Sequence, residues 1–129
     1  MHHTESNLIE INNKIKSKIN SLSLDQYNPK VIAVSKTFKE QDILPLLDYG
    51  HLDFGENKVQ EALLKWPNLK EKYKNVKLHM LGKLQTNKAK FAVEIFDYIH
   101  SLDSLKLANK LAKEIQKKNK KIKIFIQIN

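Results

Sequence analysis

The sequence predicts an α/β fold built around a parallel sheet, and three observations support this prediction. Short apolar runs alternate with helix-like segments from residue 30 to residue 129, a pattern typical of parallel strands joined by crossover helices. The chain has 129 residues, 41% of them hydrophobic, which is enough for a core. No linker-like segment divides it. We therefore predict a single domain over residues 1–129, with an amphipathic N-terminal helix in 1–24 and βα units in 30–129.

The first elements follow from apolar spacing and from capping patterns. The apolar run Val31–Val34 predicts a buried first strand. Thr37 and Glu40 have the spacing of a capping box, so a helix is expected to begin there and to end before Gly50. The N-terminal helix carries an apolar stripe with spacings of three and four, formed by Leu8, Ile11, Ile15, Ile19 and Leu22.

The rest of the chain continues the same alternation. Residues 51–57 predict a second strand, Asn57 is placed as the N-cap of the next helix, and that helix is expected to end at Pro67. A later helix is expected to follow a cap at Asp103 or Ser104. The remaining elements are strands at 76–82, 98–102 and 122–128 and a helix at 86–96.

Two architectures contain this alternation: an open doubly wound sheet and a (β/α)₈ barrel. The barrel needs about 250 residues and eight strands, whereas this chain ends on its fifth predicted strand. In both architectures functional groups gather at the carboxyl ends of the strands. The alternation therefore leaves the architecture open but predicts where a site would lie.

Composition limits the classes of function. The formal net charge of +9 suggests nucleic-acid binding, but all 23 basic residues are lysines, and the arginine fork that recognises phosphates and guanines is missing. The absence of cysteine excludes disulfides and zinc–thiolate sites. The N-terminus lacks the pattern of a signal peptide, and no apolar run approaches the ~20 residues that span a bilayer. We therefore expect a cytoplasmic protein with no membrane partner.

Lys36 is the residue of greatest chemical interest, because it follows the first predicted strand at its carboxyl end. A lysine amine attacks a carbonyl only when neutral, and its ordinary pKa is ~10.4. Apolar surroundings would disfavour the charged form and make the amine a Schiff-base candidate. The alternative is a lysine that extends into solvent, which the residues alone favour. His51, His79 and His100 fall on predicted strands but not in one layer, so no metal site is expected.

Five motifs, in order and at consistent distances, form a family pattern. Together they resemble the pyridoxal phosphate homeostasis protein family, which is related to the barrel domain of alanine racemase. The motifs are AVSK (33–36), FGENKVQE (54–61), LHMLGKLQTNK (78–88), HSLD (100–103) and IQIN (126–129).

This resemblance implies a fold and a function. The fold would be the (β/α)₈ barrel, here an incomplete one of about five parallel strands with crossover helices. Lys36 would hold pyridoxal 5'-phosphate (PLP) as a Schiff base, with Asn57 and His79 lining the pocket. The protein would act in PLP homeostasis without efficient catalysis, and apo PLP-dependent enzymes are candidate recipients. A racemase-like PLP enzyme and a lysine-rich nucleic-acid binder are the alternative functions.

The sequence departs from the family pattern at its end. It stops at Asn129, about halfway through such a barrel, so strands six to eight are absent together with the late loops that usually grip the phosphate. We expect weaker PLP binding than in a full-length relative. The runs 31–34 and 122–128 would be unpaired edges that favour self-association. A dimer whose halves complete one another is the alternative to a fragment.

Overall fold

Five parallel strands form one sheet in the computed structural model, which describes residues 2–129. In chain order the elements are α1 (His3–Ser21), β1 (Ala33–Val34), α2 (Glu40–Tyr49), β2 (Asp53–Glu56), α3 (Val59–Lys72), β3 (Lys77–Met80), a 3₁₀ turn (Thr86–Lys88), α4 (Ala89–Ile95), β4 (Tyr98–Leu102), α5 (Leu105–Lys118) and β5 (Lys123–Ile126). The strand order is β1-β2-β3-β4-β5.

This strand order distinguishes the two architectures that the sequence left open. In a doubly wound sheet the order reverses at a switch point, whereas here each strand lies beside its predecessor. Consecutive helices also pack on one another, α3 on α4 and α4 on α5. The chain therefore has the singly wound arrangement of a (β/α) barrel over five strands. The predicted fold class is confirmed.

An apolar core fills the space between the sheet and its helices. Alternate residues of the central strands point into this layer and are fully buried, as Phe54, Leu78 and Ile99 show. Trp66 of α3 and Phe96, which follows α4, are buried in the same cluster. Burying side chains of this size stabilises the fold by about 1.5–3 kcal/mol each. The core therefore fixes which face of each central strand points toward the helices.

The opposite face of the sheet is less covered, and we call it the open face. At its two edges Val34 of β1 and Phe125 of β5 are 46% and 52% exposed. In the centre, residues of this face cover one another instead of packing under helices. Because strand residues alternate between faces, the open face carries Gly55, His79, Tyr98 and His100 between those edges.

The start of α2 differs from the prediction. The helix begins at Glu40, and the N–H of Lys39 donates to the Asp42 carboxylate at 3.2 Å. Thr37 lies instead in a turn, with a φ of 66°. The predicted capping box of Thr37 and Glu40 is wrong, because Thr37 belongs to the turn that follows β1 and the N-cap position is Lys39. The helix ends as predicted at Gly50, whose φ of 102° suits glycine.

The ends of α3 also differ from the prediction. The N-cap position is Lys58 rather than Asn57, and no side chain caps the helix there. The helix continues through Pro67 to Lys72, although proline in a helix interior costs about 3 kcal/mol or more. Leu69, beyond the proline, is buried in the core. Its burial favours continuing the helix and offsets that cost.

Burial near the N-terminus is lower than predicted. β1 has only two residues and lies at a sheet edge, so the run 31–34 is not a fully buried strand. In α1, Leu8 is buried, but Ile11 and Leu22 of the predicted stripe are 45% and 54% exposed. Among residues 2–129, no helix combines the length and apolarity needed to cross a membrane.

The second half of the chain follows the prediction more closely. β4 has the predicted bounds, and Ser104 rather than Asp103 caps α5, because its Oγ accepts the N–H of Leu107 at 3.2 Å. β3 and β5 are shorter than predicted, and the helix predicted at 86–96 divides into the 3₁₀ turn and α4.

Replacing Leu78 by alanine tests this assignment of the core. Leu78 is fully buried, so Leu78→Ala should lower the free energy of unfolding by about 2–5 kcal/mol through lost packing and a residual cavity. Leu64→Ala, at a side chain that is 82% exposed, should change it by no more than about 0.5 kcal/mol. Urea unfolding measures both. Equal losses in the two variants would contradict the assignment.

Candidate functional site

The strand register fixes which residues share a level of the sheet. Val34, Gly55, His79 and Tyr98 are successive partners across β1 to β4. The pairing extends one step further, because the N–H of Leu81 donates to the Glu56 carbonyl at 2.9 Å. We define a second level by counting two residues further along each of these segments, toward the carboxyl ends of β1 to β4; it contains Lys36, Asn57, Leu81 and His100.

The β1–α2 turn, residues 35–38, is held by a lysine of α3. The Lys65 ammonium donates to the carbonyl oxygens of Ser35 at 2.7 Å and Phe38 at 3.0 Å. It also pairs with Oε2 of Glu56 at 2.8 Å and Oε2 of Glu61 at 2.9 Å. Lys65 is only 7% exposed. Its charge is therefore stabilised by protein groups rather than by water.

Glu61 holds the same turn through Thr37. Its Oε2 atom accepts the N–H of Thr37 at 2.6 Å. Thr37 has a φ of 66°, an outlier for a β-branched residue that costs about 1–3 kcal/mol. Desolvation acts to raise the pKa of Glu61, but hydrogen bonds from Lys65 and Thr37 and nearby positive charge lower it overall. The carboxylate is therefore ionised at neutral pH, which strengthens its hydrogen bond to the strained residue.

Glu56 anchors the network inside the core. Its carboxylate is fully buried. Oε2 accepts from Ser35 Oγ at 2.6 Å and from Trp66 Nε1 at 2.9 Å, besides its pairing with Lys65. Oε1 has no hydrogen-bond partner among the described residues. Removing one partner of such a buried pair is strongly destabilising, at about 3–5 kcal/mol, because the other charge is left unpaired.

Lys36 lies on this held turn, at the carboxyl end of β1. Ser35 points into the helix layer, where it bonds Glu56, and Lys36 follows it in the turn, just beyond Val34, the last paired residue of β1. Its side chain is exposed, as the residues alone favoured, and does not lie in the apolar surroundings that would lower the pKa of a Schiff-base lysine. Within residues 2–129, no hydrogen bond or ion pair engages its amine. The residue is thus positioned through its backbone while its amine is available to a ligand.

Asn57 shares the level of Lys36 and is half-buried. It borders a cleft of about 370 Å³ between the loops that follow β2 and β3, which is also lined by Lys58, Gln60 and Lys83. Gly82 packs so closely that a Cβ atom there would collide with the Asn57 carbonyl group. Only glycine allows this approach, which fixes the backbone of Asn57.

His79 lies one level below Lys36 and is 3% exposed. Its Nε2 atom lies 2.9 Å from Oδ1 of Asp53, and its Nδ1 atom lies 2.9 Å from Nε2 of His100. The Tyr98 ring stacks on it at 4.2 Å. Both ring nitrogens are occupied, so His79 offers neither to a ligand. His100, which sequence analysis did not assign to the site, lies at the level of Lys36.

Asp53, His79 and His100 form a hydrogen-bonded chain on the open face. A carboxylate accepts, so the network assigns the proton of His79 to Nε2 and that of His100 to Nε2. Burial and the neighbouring His79 lower the pKa of His100, which favours its neutral form. Among the described residues, neither this chain nor any other group of three or more His, Cys, Asp or Glu side chains has an arrangement suited to a metal ion.

Glu61 and Lys65 were not singled out from the sequence. Their spacing of four residues on a helix is a common signal for an ion pair, but Lys65 is one of 23 lysines. Nothing in its sequence context marks it as buried. The contact with the β1–α2 turn spans about 30 residues of chain, so only the fold reveals it.

A pH titration of stability tests the position of His100. Its folded pKa is lowered from 6.5, so the unfolded chain binds the proton more readily. This contribution to stability is complete above pH ~6.5 and is lost as pH falls toward the folded pKa. His100→Gln should therefore flatten the loss of unfolding free energy between pH 7 and pH 5 (roughly the histidine range). His3→Gln, at an exposed histidine, should leave the slope unchanged, and the opposite pattern would refute the assignment.

The strand order and the polar carboxyl edge define the class of this protein: a singly wound parallel α/β protein of the (β/α)-barrel type. A family model described as "Alanine racemase, N-terminal domain" matches residues 11–129, which is nearly the whole chain. The chain belongs to the alanine racemase N-terminal domain family.

Curated relatives agree with the resemblance carried by the five motifs. The chain is 34% identical over 125 residues to the pyridoxal phosphate homeostasis protein of Pasteurella multocida, covering 97% of this chain and 54% of the relative. The protein of the same name from Buchnera aphidicola subsp. Schizaphis graminum is 40% identical over 128 residues, with 95% and 56% covered. The chain spans about half the length of the curated relatives it matches.

Solved structures give the same result. PipY of Synechococcus elongatus, without PLP, superposes with a TM-score of 0.74 at 40% identity, covering 84% of this chain and 51% of PipY. PipY with PLP bound gives a TM-score of 0.73 at 38% identity, with 84% and 52% covered. The family predicted from the sequence is therefore confirmed.

Proposed function

We propose that this chain binds PLP as a Schiff base on Lys36 and serves cytoplasmic PLP homeostasis without efficient catalysis. The observation that carries the proposal is the placement of Lys36. The residue lies just beyond the carboxyl end of β1, on a turn held by buried charges, and no hydrogen bond or ion pair engages its amine within residues 2–129. The PLP-bound state of PipY and the names of the relatives support the choice of cofactor.

The residues around Lys36 suit an aromatic aldehyde. An exposed amine can attack the aldehyde carbon once it has lost a proton, and the carbonyl oxygen then leaves as water while a C=N bond forms. Asn57 and His100, at the same level of the sheet, supply an amide and a neutral imidazole toward the bound molecule. In this arrangement His79 supports the pocket from one level below, by holding His100.

Exposed apolar side chains at the two edges of the sheet suggest that the chain associates with other protein chains. Val34 at one edge is partly exposed, and Phe125, Ile126 and Ile128 at the other are 52%, 75% and 89% exposed. Unpaired apolar edges favour association with other chains. We therefore include self-association through these edges in the proposed function. Transfer of PLP to apo-enzymes is included on a different ground, the homeostasis role in the names of the relatives.

The test compares PLP uptake by Lys36→Ala and Lys90→Ala. Lys90 is an exposed lysine of α4, so its variant controls for adventitious imines on surface lysines. Titration with PLP, followed by the visible absorbance of the imine, should show a saturable one-to-one component in the unmodified chain and in Lys90→Ala. Lys36→Ala should lose that component. Equal uptake by the two variants would contradict the proposal.

A racemase assay addresses the alternative function. The PLP-loaded chain should convert no measurable L-alanine to D-alanine, because the proposed role is binding rather than turnover. Enzymatic quantification of D-alanine measures this. Turnover that is lost in Lys36→Ala would show that the non-catalytic part of the proposal is wrong while leaving PLP binding intact.

A further inference from the structure

We propose that Glu61 and Lys65 of α3 form a positioning pair that holds Lys36 in the orientation needed to bind its aldehyde ligand. This inference rests on the proposed function of Lys36. Neither side chain contacts the amine. Both act on the backbone on either side of it.

The pair binds the backbone of three residues of the β1–α2 turn, Ser35, Thr37 and Phe38. Lys65 donates to the carbonyl of Ser35, just before Lys36, and to the carbonyl of Phe38. Glu61 accepts the N–H of Thr37, the residue just after Lys36. Lys36 is thus fixed from both sides by groups that belong to a different element of the fold.

The conformation at Thr37 explains why a holding pair is needed. A φ of 66° is one that β-branched residues rarely adopt, and such a conformation persists only where its surroundings impose it. Here the contact that imposes it is the hydrogen bond from the Thr37 N–H to Oε2 of Glu61, at 2.6 Å. If that contact weakens, Thr37 is expected to relax to negative φ, which redirects the preceding residue.

Burial of Lys65 makes the arrangement rigid. Its ammonium is shared among Ser35, Phe38, Glu56 and Glu61 at distances of 2.7 to 3.0 Å. Since Glu56 is fully buried on β2, its ion pair with Lys65 fixes the turn relative to the sheet. An exposed ion pair would not do so, because it is mobile and screened by solvent.

The test uses Glu61→Gln, which weakens the hold on Thr37 but keeps Lys65 paired with buried Glu56. Glu94→Gln is the matched control, because Glu94 pairs with Lys118 on the helix layer, away from the turn. The readouts are hydrogen exchange of the Thr37 amide without PLP, the dissociation constant for PLP, and the unfolding free energy. Glu61→Gln should accelerate exchange and weaken PLP binding by about tenfold or more, while Glu94→Gln changes neither.

A second substitution separates positioning from general destabilisation. Thr37→Gly makes the left-handed conformation accessible without strain, so Glu61→Gln combined with Thr37→Gly should bind PLP more tightly than Glu61→Gln alone. A purely structural role predicts no such rescue, and its absence would overturn the inference. PLP binding in Glu61→Gln equal to that of the unmodified chain would also overturn it. If the unmodified chain binds no PLP at Lys36, the proposed function fails, whereas hydrogen exchange still reports on the hold at Thr37.

Discussion

The buried pair of Glu56 and Lys65 is the interaction on which the candidate site depends. Moving two charges out of water is costly, and their attraction compensates only when further hydrogen bonds complete the arrangement. Here Ser35 and Trp66 donate to the same Glu56 oxygen that pairs with Lys65, and Lys65 donates to two backbone carbonyls. The pair thereby connects the end of β1, the end of β2 and α3.

The fold gives this pair its position. A sheet in which every strand follows its predecessor brings consecutive carboxyl ends together along one edge. The helix layer then covers one face, where Glu56 and Ser35 are buried, whereas His100 lies on the open face and Lys36 and Asn57 follow the carboxyl ends of β1 and β2. Charges buried under the helix layer therefore hold the turn that carries Lys36, the residue proposed to bind the ligand.

Periodicity and motif order were sufficient to predict much of the fold. The alternation of apolar runs located all five strands, and β4 has the predicted bounds. Contacts between segments that are distant in the sequence could not be predicted from periodicity and motif order. The true start of α2 depends on the turn that Glu61 holds, and α3 continues past Pro67 because Leu69 is buried. For the candidate site, the roles of Lys36, Asn57 and His79 remain predictions. The pairing of His79 with His100 and the burial of Lys65 arise from packing and could not be predicted from the sequence.

Reductive trapping followed by peptide mapping tests the central claim most directly, namely that the held turn presents one particular lysine to PLP. The chain would be incubated with stoichiometric PLP, reduced with borohydride and digested, and the pyridoxyl group located by mass spectrometry. The account predicts that the label lies on Lys36, at one group per chain. A label distributed over the 23 lysines according to their exposure, with no preference for Lys36, would contradict it.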